Sequence, residues 1–130
     1  MQRPLRLRHS VDFARSRRMG RLWRLPLLYL SVVPNGLPHN RYGFITGKVI
    51  GGAVTRNRIR RQLRAIMRQM HGQLRSGYDL VWLTRNGIAG ASYSQISAMA
   101  AELLQRASLL SAPPVRPSAP ETAIRPPLPE

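Results

Sequence analysis

The chain has 130 residues, with 21 Lys or Arg against five Asp or Glu, for a formal net charge of +16. That length suits one compact domain with a tail, and a hydrophobic fraction of 43% is enough for a modest core. Cysteine is absent, which excludes disulfides, thiolate metal sites and cysteine nucleophiles.

The most apolar run, residues 25–33, is interrupted by Pro26 and is far shorter than the about 20 residues that cross a bilayer. No small-residue cleavage site follows it, so no signal peptide is read and a cytoplasmic, non-membrane protein is expected. The acids are Asp12, Asp79, Glu102, Glu121 and Glu130. Between Asp12 and Asp79 lie Lys48 and thirteen arginines with no carboxylate among them. Such a segment repels itself unless it meets a polyanion. A genome-wide taste for arginine would explain Arg in place of Lys, but not the missing acids. Nucleic acid is therefore the expected partner.

Residues 1–9 are basic and irregular. Ser10 reads as an N-cap and Asp12 suits the first turn of a helix over 10–19, with Gly20 as its terminator. Residues 25–33 read as a buried strand ending at the turn cluster Pro34-Asn35-Gly36. Residues 41–47 alternate, with Tyr42, Phe44 and Thr46 on one face and Gly43, Ile45 and Gly47 on the other. The loop over 36–40 predicts that these two strands pair antiparallel. Gly51-Gly52 breaks the chain before the clearest helix, 53–71, where Ile59, Leu63, Ile66, Met67 and Met70 share a face. Residues 78–84 form a further strand. Ser92 or Ser94 caps a last helix over 93–110, with Ile96, Met99, Ala100, Leu103 and Leu104 inward. Seven of the eleven prolines fall in 112–130, so the reading is one domain over 1–111 and a disordered Pro-rich tail over 112–130.

At 100° per residue, Arg56, Arg60, Arg64 and Arg68 make one stripe on the 53–71 helix. Arg61 lies beside it and Arg58 further round, with the apolar residues on the opposite arc. Like charges at i, i+4 cost a few tenths of a kcal/mol per pair, about 0.2–0.5, and no acid here relieves them. A merely solvated face would mix signs. Guanidinium forks suit phosphates and stack on bases. The two glycines let the backbone approach a phosphate, beside the free N–H groups of the helix start. Asn57 offers both a donor and an acceptor.

The run Gly51-Gly52-Ala53-Val54-Thr55-Arg56-Asn57-Arg58-Ile59-Arg60-Arg61, with Arg64 following and Arg41-Tyr42-Gly43 preceding, resembles the signature of the bacterial ribonuclease P protein family. Arg6-Leu7 and Asp12-Phe13 resemble its opening, and Tyr78-Asp79-Leu80-Val81 leading to Arg85 resembles its last strand. The resemblance covers about residues 5–110. It implies an α+β fold of two layers in the order αβββαβα, with a central four-stranded sheet. It also implies a left-handed βαβ crossover, where the default is right-handed.

The implied function is that of the protein subunit of an endoribonuclease holoenzyme that removes the 5′ leader from precursor tRNA. The RNA does the catalysis and holds most of the Mg²⁺. The implied partners are ribonuclease P RNA and precursor tRNA, with no membrane and no obligate protein partner. Carried over, Arg56, Asn57, Arg58, Arg60, Arg61 and Arg64 face the catalytic RNA. Gly51 and Gly52 form the adjoining loop, Lys48 matches a basic position before it, and Arg68 continues the stripe. Phe13 and Ile45 line a cleft for the single-stranded leader.

The chain departs from the family in three places. Val49 stands where a second basic residue is common, Arg17 where a second cleft aromatic falls, and Ser31 where a strand tyrosine falls. Tyr29 shares a strand face with Ser31, so Tyr29 is expected to stack on a leader base in its stead.

Phosphodiester hydrolysis needs metals or general acid–base groups. The acids are scattered, and His9, His39 and His71 fall in different elements, so no catalytic or metal-binding residue is assigned to the protein. Residues 43–48 are similar to a phosphate loop but are one residue short, with Val49 where Ser or Thr is needed. A ribosomal protein or another structured-RNA-binding protein or chaperone is the alternative, for it would use the same charge without needing the ordered motif. A membrane-surface helix would want Trp or Phe on its apolar side, and a protein nuclease would want more carboxylates.

Overall fold

The computed structural model describes residues 6–7 and 10–110. The Pro-rich segment and most of the basic opening lie outside the described residues, as does the expected boundary at 111. The elements run α1 (Ser10–Met19), β1 (Arg21–Arg24), β2 (Leu28–Pro34), β3 (Arg41–Ile45), α2 (Ala53–Met70), β4 (Tyr78–Thr84) and α3 (Tyr93–Arg106). The sheet order is β1-β2-β4-β3.

β4 takes a central place because six of its seven residues are buried, which demands cover on both faces. It pairs antiparallel with β2 and parallel with β3, so β3, α2 and β4 make a βαβ unit. The expected antiparallel pairing of β2 with β3 is therefore incorrect: β4 lies between them. A short loop made a hairpin the simplest reading, yet the doubly buried strand outcompetes local pairing for the middle of the sheet.

β1 was not read from the residues. It has four residues and only Trp23 buried, too little for an alternation signal. β2 accordingly starts at Leu28 rather than 25. Leu25 and Leu28 exchange backbone hydrogen bonds of 2.9 and 3.3 Å around Pro26-Leu27, closing a two-residue hairpin loop. α3 ends at Arg106, short of the expected 110, and Ser108 takes a φ of 64° just beyond it. Ser92 is its cap, in a reciprocal box with Gln95 that satisfies two otherwise free donors.

The core lies on one face of the sheet. Ile59, Leu63, Ile66 and Met67 of α2 and Ile96, Ala100, Leu103 and Leu104 of α3 pack with Trp23, Leu28, Leu30, Val32, Leu80 and Trp82. α1 crosses the other face and covers part of it. Ser16 and Ser31 share a hydrogen bond of 2.9 Å. Asp79, fully buried, accepts from Arg41 twice at 2.9 Å, from Asn35 at 2.9 Å and from Arg15 at 3.3 Å. This carboxylate holds α1 and β3 to the central strand; Asp12 adds a 3.4 Å contact to the same Arg41.

Candidate RNA interface

Two surfaces carry the sequence-predicted residues, and they meet along β3. The first is α2 with the loop before it. Gly51 has a φ of 146°, in the region that favours glycine, and it turns the chain from a single 3₁₀ turn at Lys48–Ile50 into α2. The helix begins with no side-chain cap and no acid in its first turn, so its first N–H groups carry the positive end of the helix dipole unopposed. Lys48 and Gly52 are exposed beside it.

The arginines do not form one free row, as the helical wheel alone implied. Arg56, Arg60 and Arg64 stand on the flank nearest the sheet and are half-buried. Arg60 donates to Thr46 Oγ1 at 2.6 Å and to Asn57 Oδ1. The Arg64 guanidinium lies 5.9 Å from the centre of the Phe44 ring. Arg58 points to the other flank and donates to Ala89 O at 3.1 Å. Arg61 and Arg68 are exposed on the outer arc. Arg64 is held below the ordinary arginine pKa, first by burial and then by the positive charges of Arg6 and Arg60. The Nε atoms of Arg56 and Arg64 are buried without a hydrogen-bond partner. Phosphate oxygens laid along this flank would relieve both the repulsion and the unmet donors.

The second surface is the face of the sheet that α1 crosses. Strand register sorts it into rows. Arg41 and Asp79 form one row with Val33; Gly43, Val81, Ser31 and Leu22 form the next; Ile45, Leu83, Tyr29 and Arg24 form the third. α1 covers the first two except at Leu22 on β1, which is exposed. Phe13 lies on Gly43, where a Cβ would stand 2.6 Å from the ring. Ser31 is buried against Ser16, so it belongs to the helix–sheet contact and is not brought to the open floor. The third row is only half-buried from Ile45 to Tyr29 and exposed at Arg24. Arg17 is exposed on α1. Tyr29 and Ile45 are thus brought to one open row with Leu83 between them, a residue that sequence reasoning missed and only the strand register reveals, while Phe13 sits on the neighbouring row over Gly43.

Between the two surfaces a cavity of about 180 Å³ is lined by Arg6, Leu7, Phe13, Tyr42, Phe44 and Arg64. Leu7 N–H donates to Tyr42 O at 2.8 Å, which lays residues 6–7 along β3.

Mg²⁺ prefers clustered oxygen ligands. Among the described residues no group of three His, Cys, Asp or Glu could hold a metal ion. Asp12, Asp79 and Glu102 are each engaged by arginine. The described side chains do not fit Mg²⁺. Among the described residues no helix is long and apolar enough to cross a membrane.

Fold and surfaces together define a small basic α+β domain built to lie against a polyanion. The sequence profile of the Ribonuclease P family matches residues 1–108. The chain is 42% identical over 113 residues to the ribonuclease P protein component of Roseiflexus sp. (strain RS-1), covering 86% of this chain and 93% of that one. It is 43% identical over 109 residues to that of Herpetosiphon aurantiacus, covering 84% and 89%. An RNase P protein structure from Thermotoga maritima, in complex with 1-(4-fluorophenyl)-2-thiourea, superposes with a TM-score of 0.74 at 26% identity, over 78% of this chain and 98% of that one. One from Staphylococcus aureus superposes at 0.77 and 22% identity, over 82% and 98%, and supports the fold. The chain belongs to the ribonuclease P protein family.

Proposed function

We propose that the chain is the protein subunit of ribonuclease P, acting on precursor tRNA with a catalytic RNA that performs the cleavage. The observation that carries this is an α2 flank of arginines with no acid to oppose them, in a chain matched by the family over residues 1–108. Lys48, Gly51, Gly52, Arg56, Asn57, Arg58, Arg60, Arg61, Arg64 and Arg68 face the RNA subunit. The cleft of Phe13, Arg17, Tyr29 and Ile45, floored by Leu83, takes the single-stranded 5′ leader. Mg²⁺ sits mainly on the RNA; the protein enhances substrate and metal affinity in the RNA site, and its cations neutralise phosphates that would otherwise gather counterions.

Reconstitution with the cognate ribonuclease P RNA at low Mg²⁺ tests this. Addition of the protein should restore 5′ maturation of precursor tRNA. Unchanged RNA-only activity, or cleavage by the protein alone, would refute it.

A further inference from the structure

Arg60 is held differently from the other arginines of α2. Its Nη1 donates to Thr46 Oγ1 at 2.6 Å, and its Nη2 donates to Asn57 Oδ1. Asn57 lies three residues earlier on the same helix, a spacing at which side chains meet. Thr46 comes from outside the helix. It is the residue that follows β3, and it is buried. The loop over 47–52, which carries Lys48, runs between Thr46 and the start of α2. The Arg60 contact therefore closes that loop across its base. Among the described residues no other arginine of α2 donates to two side chains: Arg58 bonds a backbone carbonyl, and Arg64 rests on the Phe44 ring.

Both acceptors are neutral. A carboxylate in either place would hold the guanidinium at least as firmly, but would offset the charge that draws RNA. Here the charge survives, for Arg60 is one of the two cations that, after burial, lower the Arg64 pKa. A guanidinium has five N–H donors. Thr46 and Asn57 each take one, which leaves three for an incoming anion. A loose arginine must give up its rotamers when it binds, whereas Arg60 has given them up already.

We propose that Thr46 and Asn57 are positioning residues for RNA binding: they set the Arg60 guanidinium in advance for a phosphate of the catalytic RNA and leave its charge intact. This rests on the RNA-facing reading of α2 given above. Thr46 stands outside the Arg-Asn-Arg motif, and the contribution of Asn57 inside it is made through Arg60.

The test is binding of the full chain to the cognate catalytic RNA across a salt series, with urea melts of each variant alongside. Thr46→Val and Asn57→Ala should each weaken binding about 2- to 12-fold, the span expected for ordering one long side chain. Their salt slopes should stay at the wild-type value, because Arg60 still reaches its phosphate. Thr46→Ser keeps the hydroxyl and should bind as the wild type does. Asn57→Asp keeps the acceptor but adds an opposing charge, so it should flatten the dependence of log Kd on log salt by about 0.9, one phosphate contact. In an Arg60→Ala background, Thr46→Val and Asn57→Ala should change nothing further, since no guanidinium is left to position. Asn57 is exposed, so its variants carry the test even where Thr46→Val fails to fold.

If Asn57→Ala costs the same factor with and without Arg60, Asn57 meets the RNA by itself and the positioning role is wrong. If Arg60→Ala weakens binding while neither Thr46→Val nor Asn57→Ala does, the positioning role is wrong and the basic flank stands. If Arg60→Ala leaves both affinity and salt slope unchanged, Arg60 meets no phosphate, and the flank reading fails at this residue together with the role of its two partners.

Discussion

Asp79→Asn is the substitution that most directly probes how the chain holds its charged face together. The carboxylate is fully buried and takes four hydrogen bonds, two from Arg41 and one each from Arg15 and Asn35. The hydrogen bond to Asp79 raises the Arg41 pKa and burial lowers it; the bond wins, so the pKa lies above the ordinary arginine value. Removing one partner of a buried pair costs about 3–5 kcal/mol. Two observations place this case lower. The side chains of Arg41 and Arg15 keep 20% and 30% of their exposure, and Arg41 retains Asp12 at 3.4 Å. A loss of about 2–4 kcal/mol is expected, lowering Tm by roughly 10–25 °C in a domain of this size. Urea unfolding followed by tryptophan fluorescence measures it, since Trp82 is fully buried and Trp23 nearly so. Because Arg15 ties α1 to β4 through this carboxylate, the gain in affinity from a long leader should shrink as well. A loss under about 1 kcal/mol would refute the view that the cluster anchors α1.

On the outer arc of α2, Arg61→Ala and Arg68→Ala should each reduce the salt slope of binding to the catalytic RNA by about 0.9 and move folding stability by no more than about 0.5 kcal/mol; filter binding across a salt series reads the first and urea melts the second. Gly43→Ala puts a methyl 2.6 Å from the Phe13 ring, so a loss of about 1–3 kcal/mol from overpacking is expected, together with a weaker contribution from the leader. Tyr42 is buried, with its hydroxyl 2.7 Å from His71 Nδ1; burial raises its pKa, against an opposing hydrogen bond from Asn40. The folded state thus keeps the proton longer than the unfolded chain, and the associated stability is complete below the ordinary tyrosine pKa of about 10 and lost as pH rises through the raised value. Urea midpoints taken upward from about pH 9 should fall in the wild type and fall less steeply in Tyr42→Phe.

The long elements were legible because each carries its own period. α2 shows five apolar residues at spacings of three and four, and its structural bounds of 53–70 match the expected helix within a residue. β4 spans the expected 78–84, since a run of buried β-formers between glycine turns has few other readings. β1 was illegible because four residues with one buried side chain hold no periodic signal. The site was half legible. Composition and the Arg-Asn-Arg motif marked the basic helix and its loop, while Arg24 and Leu83 are unremarkable in sequence and become neighbours of Tyr29 only through strand register. Ser31, expected on an open face, is instead buried under α1 against Ser16.

What the sequence determined alone is whatever depends on local spacing and on sums. The charge of +16, the missing acids, the amphipathic α2 and the order of its arginines need no knowledge of neighbours. Tertiary structure decided what depends on which strands sit side by side. It put β4 between β2 and β3, brought Arg60 to Thr46 and Arg64 to Phe44 while Arg58 turned to Ala89, and aligned Ile45, Leu83, Tyr29 and Arg24 in one row. The physical reason is that strand pairing is settled by competition for burial over the whole chain, so residues far apart in sequence become neighbours only once the most apolar strand has claimed the centre.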